Sequence, residues 1–119
     1  MDINIKSIDG TLFAEINAGK IVINNVQDAI DLIGNCNYQG ASNIIISKNN
    51  INEDFFDLKS GLAGDILQKF STYNLKLAII GDFSEYNSKS LTDFIFESNK
   101  IGRINFVDTI NDAINKLKS

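Results

Sequence analysis

Asp57-Leu58-Lys59-Ser60-Gly61 and Gly81-Asp82-Phe83-Ser84, the latter followed by Ser88-Lys89-Ser90, are the stretches whose residue types could do chemistry. Each sets a hydroxyl and an ammonium beside a glycine or a carboxylate where a helix would begin. A helix N-terminus offers free amide donors and the positive end of a dipole, so it suits an anion or a phosphorylated serine. Asp57, Lys59, Ser60 and Gly61 can therefore be read as a recognition or switch loop. They can equally be read as a helix start, with Asp57 or Ser60 accepting amide hydrogen bonds as a cap. The second stretch invites comparison with a phosphate-binding loop. That loop needs a glycine just before its lysine, and Asn87-Ser88 precede Lys89 instead. Asp82 is then a lone carboxylate, and such residues commonly form turns. Asp54 and Asp57 flank Phe55-Phe56, but no nucleophile is matched to them. The two phenylalanines either plug an end of the core or form an apolar contact patch.

Other reactive chemistry is thinly supplied. Histidine is absent and Cys36 is the only cysteine. Ser-His and Cys-His nucleophile pairs, the usual zinc ligands and an internal disulfide are thereby excluded. Cys36 reads as a small, partly buried thiol beyond a helix end. The 119 residues carry a net charge of -4. Lys100 and Arg103 are close in sequence but make no phosphate track, so nucleic acid is not an expected partner. The start Met-Asp-Ile-Asn has no signal-peptide pattern, and no apolar run approaches the ~20 residues that span a bilayer. A cytoplasmic protein without a membrane partner is expected.

The elements that must position these residues follow from periodicity. Ile3 and Ile5 alternate with polar neighbours, predicting a strand over residues 2–7. Asp9-Gly10 suits a tight turn, and Leu12, Ala14 and Ile16 continue a second, antiparallel strand. Ile21-Val22-Ile23 either extends that strand past a kink or forms a short one of its own. Asn24 or Asn25 caps a helix carrying Val26, Ala29, Ile30 and Ile33, with Gly34 as its stop. Ile44-Ile45-Ile46 predicts a strand buried on both faces, hence central. A helix from Lys59 or Ser60 carries Leu62, Ile66, Leu67 and Phe70, with Gly61 and Gly64 letting it lie close on the sheet. Leu75 and Leu77–Ile80 give another buried strand. A third helix starts near Ser88 or Ser90, bears Leu91, Phe94 and Ile95 inward, and breaks at Gly102. Phe96 points away from the face of Phe94, so its exposure would mark an interaction surface. Ile104, Phe106 and Val107 form the last strand. Asp108 or Thr109 caps a final helix with Ile110, Ala113, Ile114 and Leu117.

Alternation of strand and helix after the hairpin implies one α/β domain over residues 1–119: a hairpin, then βα units in a mostly parallel five-stranded sheet with right-handed crossovers. Loops at the carboxyl ends of parallel strands gather on one edge and commonly hold the site. Here they contain Asn24, then Lys48, Asn49 and Asn50, then Asp82 and Phe83, then Asp108.

Four phrases, NVQDAIDLIGNCNYQGA, FFDLKSGLAGDILQKFS, KLAIIGDFSEYNSKSLTDFIFESNK and GRINFV, resemble the bacterial family called domain of unknown function 4180. The resemblance spans nearly the whole chain and implies no activity. A more distant resemblance is to STAS, or anti-sigma-factor-antagonist, domains. There a strand leads through Asp-Ser-Ser-Gly-Leu or a variant into a helix, and the motif serine is phosphorylated. Asp57, Ser60, Gly61 and Leu62 stand at the corresponding place. Leu58 and Lys59 make the spacing one residue longer. That resemblance implies a STAS-like fold and a regulatory, non-enzymatic module with another protein as partner. The alternative is a small enzyme or ligand-binding domain using Asp57, Lys59, Ser60 and Asp82 at the strand ends. No cofactor is expected, and a homo-oligomer joined through Phe96 or a bare sheet face is a third reading.

Overall fold

Asp9 and Gly10 turn the chain back on itself with φ of 52° and 82°. Both values are positive, as a two-residue hairpin turn matched to strand twist requires. The turn joins β1 (Asp2–Ile8) to β2 (Thr11–Asn17), with Ile8 opposite Thr11. The computed structural model describes residues 2–118. After the hairpin follow α1 (Val26–Tyr38), β3 (Asn43–Ser47), α2 (Leu62–Tyr73), β4 (Lys76–Ile80), α3 (Lys89–Ile101), β5 (Ile104–Val107) and α4 (Ile110–Lys118). The strands lie in the order β1-β2-β3-β4-β5, antiparallel between β1 and β2 and parallel thereafter. β3 and β4 are interior strands, as their unbroken apolar runs require.

Side chains alternate across the sheet. Ala14, Ile16, Ile44, Ile46, Leu77, Ile79, Ile104 and Phe106 face one side, where Ala29, Leu32, Ile33 and Cys36 of α1, Ala63, Ile66 and Phe70 of α2 and Leu91 of α3 cover them. Phe13, Ile45 and Ala78 face the other side, where, among the described residues, α4 is the helix that covers them, with Ala113 and Leu117. The ammonium of Lys118 pairs with Asp9 at 2.5 Å and ties the end of α4 to the hairpin turn. Caps set the helix starts. Asn25 accepts from the Asp28 N–H at 2.9 Å, Ser88 from Leu91 at 3.1 Å and Thr109 from Asp112 at 3.1 Å. Each satisfies an amide the helix itself cannot.

Several local expectations change. α1 runs through Gly34 for another turn, because Cys36 continues the buried stripe of Leu32 and Ile33. The chain turns instead at Gly40, whose φ is 85°. Cys36 thus sits inside the helix and is fully buried, and burial pushes its thiol up to about 11. Ile21–Ile23 is no strand; only Ile23 makes a bridge, to Ile51. Asn50, buried, explains why. Its side-chain amide donates to the carbonyls of Ala18 and Lys20, and its own carbonyl takes the N–H groups of Val22 and Ile23. Gly61 and Gly64 do not bring α2 onto the sheet, since a Cβ at either would meet open space. Gly61 is needed for its φ of 79°. Ile110, the first apolar residue of the final helix, is exposed at the start of α4.

Candidate functional site

Three short 3-10 turns occupy the connection from β3 to α2: Lys48–Asn50, Glu53–Phe56 and Leu58–Ser60. Side chains organise each one. Ser47 accepts from the Asn49 N–H, Asn52 from Asp54, and Asp57 from Lys59 at 3.2 Å. Ser60 then both donates and accepts. Its hydroxyl donates to the Asp54 carbonyl at 2.6 Å and accepts from the Leu62 N–H at 3.2 Å. It therefore closes the loop behind it and ties it to the first residue of α2, whose N-cap is Gly61, while its side chain stays at the surface.

The β4–α3 connection, residues 81–88, is built in the same way. Asp82 accepts from both the hydroxyl and the N–H of Ser84, at 2.6 and 3.0 Å. Those bonds, with a smaller contribution from Lys48, hold its carboxyl below the usual carboxylate range. Ser88 caps α3, and Lys89 pairs with Asp93 one turn on. That pairing raises the Lys89 ammonium above its ordinary value.

The two connections are locked together. Lys48 donates to the Asp82 carbonyl at 2.8 Å, pairs with Glu85, and lies 5.0 Å from the ring centre of Tyr86. Tyr86 stacks on Phe56 with centroids 5.1 Å apart and planes 13° apart, and its hydroxyl donates to the Glu53 carboxylate at 3.2 Å. Desolvation first, and the Glu53 charge second, push the Tyr86 phenol up to about 12. Phe83 packs between Phe56 and Phe106 at 6.0 and 5.3 Å. Phe55 and Phe56 are both buried, so both plug the core. Gly81 is required by this lock: a Cβ there would sit 2.7 Å from Lys48 Cδ and 2.9 Å from Lys48 Cβ.

The seven residues singled out from sequence all lie on this rim and all are exposed: Asp57, Lys59, Ser60 and Gly61 in one connection, Asp82, Ser88 and Lys89 in the other or at its end. The connections meet through Glu53, Phe56, Lys48, Phe83, Glu85 and Tyr86. Among the described residues no hydrogen bond or ion pair joins Asp57, Lys59 or Ser60 to Asp82, Ser88 or Lys89. Lys48 and Tyr86 were visible as residues, but their partners Asp82 and Glu53 lie 34 and 33 positions away, beyond any local pattern.

Two cavities lie at the carboxyl ends of the strands. One open cavity of about 340 Å³ sits beside the start of α4, over the half of the sheet that α4 leaves bare. Ile45, Ile80 and Ile110 contribute its apolar walls, and Lys6 and Glu15 stand at it already paired at 2.8 Å. A smaller one of about 230 Å³ involves Ile21, Lys48, Asn49, Ile51 and Glu53. Neither is lined by Asp57, Lys59, Ser60 or Asp82. Among the described residues no three His, Cys, Asp or Glu side chains gather as a metal would need, and no helix is long and apolar enough to cross a membrane.

No curated protein matches the chain. Its sequence does match the family described as a domain of unknown function, DUF4180, over residues 8–117, and the chain belongs to that family.

Proposed function

We propose that this domain is a non-enzymatic, cytoplasmic regulatory module that binds another protein through the rim formed by residues 48–60 and 81–88. The carrying observation is the lock itself. Lys48, Glu53, Phe56, Glu85 and Tyr86 tie the β3–α2 and β4–α3 connections into one surface, and neither cavity at the carboxyl edge of the sheet is lined by Asp57, Lys59, Ser60 or Asp82. A preformed surface of this kind loses little conformational entropy on docking. The strand order, with its leading hairpin, also agrees with the likeness to STAS domains. Asp54, Asp57, Asp82 and Glu85 are exposed on the rim, while Lys48, the cation at its centre, is already paired. The partner surface is therefore basic, and association weakens with salt. Ser60 is the modification point of this reading. A phosphate would add roughly -1.5 to -2 charges beside Asp54 and Asp57 and remove the bond to the Asp54 carbonyl.

Affinity capture from native cytosol, with mass spectrometry, tests the proposal with three baits: the unaltered domain, Asp54→Lys with Glu85→Lys, and Phe96→Ser on the far side of α3. A protein held by the first and third baits and lost by the second supports the rim. The same proteins on all three baits, or a small molecule whose stabilising effect disappears in Asp82→Asn, would favour the enzyme or ligand-binding alternative.

A further inference from the structure

The two edges of the sheet are finished differently. At β5 the outward backbone groups are taken by side chains of α3. Ser98 donates to the Ile104 carbonyl at 2.6 Å, and Asn99 accepts from the Phe106 N–H at 2.7 Å and donates to the Phe106 carbonyl at 3.2 Å. That edge is closed to another strand. β1 is the opposite edge and has no such cover: its only strand neighbour among the described residues is β2.

Which groups β1 leaves free follows from the hairpin turn. Ile8 and Thr11 are the first and last residues of that turn and therefore bond to each other. Hydrogen-bonded pairs alternate along an antiparallel ladder, so Lys6, Asn4 and Asp2 also direct their backbone groups to β2. Ile3, Ile5 and Ser7 direct theirs outward. An open edge of this kind is a template for another strand, and proteins usually blunt it with a charge such as Lys6.

We propose that β1 pairs with β1 of a second copy of this chain, antiparallel and centred on Asn4, joining two sheets into one continuous sheet about a two-fold axis. In that register Ile3 and Ile5 of the second copy exchange their N–H and C=O groups, using the ones the monomer leaves free. Asp2 falls opposite Lys6 of the second copy, and the reverse. Asn4 meets Asn4. These polar pairs occupy the positions where facing side chains approach most closely. On the other face Ile3 meets Ile5, extending the apolar layer that both residues already join. Shifting the register by one step in either direction separates Asp2 from Lys6. The charge that blunts the edge against other strands thus has its complement on the same strand.

Sedimentation equilibrium of the intact chain, from micromolar to millimolar, reads this directly. The expected result is a mass rising from 13.2 kDa toward twice that value. Asp2→Lys places like charges opposite each other twice and weakens the dimer about tenfold or more. Adding Lys6→Glu together with Glu15→Lys, which keeps the β1–β2 ion pair, restores it. Ile5→Pro removes an outward N–H but none from the β1–β2 ladder, so it yields a monomer whose thermal midpoint confirms folding. Should that variant not fold, the exposed charge variants decide alone. A monomer at every concentration, a dimer indifferent to Asp2→Lys, or no rescue by the charge exchange would each overturn the proposal.

Discussion

Lys48→Met is the substitution that strains the account most. Methionine keeps the stem that fills the space beside Gly81 and deletes only the ammonium. The Lys48 side chain is 14% exposed and its partner Glu85 is 56% exposed. The ion pair is therefore screened from one side and adds little, about 0–1 kcal/mol. The bond to the Asp82 carbonyl is exposed too, so it should fall at or below the low end of the about 1.5–3 kcal/mol that a hydrogen bond from a charged donor contributes. The contact with Tyr86 adds about 0.5–1 kcal/mol. These are not additive, and methionine regains some packing against the same rings. A net loss of about 2 kcal/mol is expected, which for 119 residues lowers the thermal midpoint by about 8 °C. Urea unfolding followed by circular dichroism measures it. The double-mutant cycle with Glu85→Gln should show coupling below about 1 kcal/mol. A Lys48→Met change within about 0.5 kcal/mol of the parent, the size of an ordinary surface substitution, would mean that Lys48 does not hold the rim.

Other expectations are more local. Ultraviolet titration should show a tyrosine ionising near pH 12 that Tyr86→Phe removes. Because this phenol is raised in the folded state, its contribution to stability is full below the unfolded value of about 10 and is lost as pH rises through about 12. Gly61→Ala should cost about 1–2 kcal/mol in urea unfolding, since φ of 79° is strained for any Cβ. Gly64→Ala, in an open and regular helical position, should stabilise by up to about 1 kcal/mol. Ser60→Ala should cost about 0.5–1 kcal/mol for its lost hydrogen bonds and retain partner binding, whereas Ser60→Asp should fold but bind the partner more weakly in the same capture assay, because losing the Asp54 bond and repelling Asp54 and Asp57 reshapes the docking loop by more than the added charge attracts a basic surface.

The layout of the sheet was legible because its signals are local and repeated. Alternation marked the hairpin strands, Asp9-Gly10 marked the turn, and Ile44–Ile46 marked a strand with two covered faces. Gly34 misled because a glycine's preference is worth only about 1 kcal/mol, less than the burial of Cys36 on the same stripe. Ile21–Ile23 misled because β-branched residues favour extended backbone without choosing a partner. Asn50 supplies the partner through its side chain, and nothing in the local sequence sets it apart from Asn49. The rim was half legible. Its residues could be named from the strand ends, but the Lys48–Glu85 and Glu53–Tyr86 contacts join separate connections. The pairing of Asn99 with Phe106 of β5 depends on a helix-to-strand return that the sequence leaves open.

Amide hydrogen exchange across the two rim connections tests the central claim most directly. If they form one closed unit, the bonded amides of Phe55, Ser60, Gly61 and Tyr86 exchange slowly and with a common opening energy, and Lys48→Met speeds all of them together. Fast exchange in residues 81–88 independent of residues 48–60, or acceleration by Lys48→Met in one connection alone, would mean two separate loops over an accessible edge and would contradict the closed rim on which the proposed function rests.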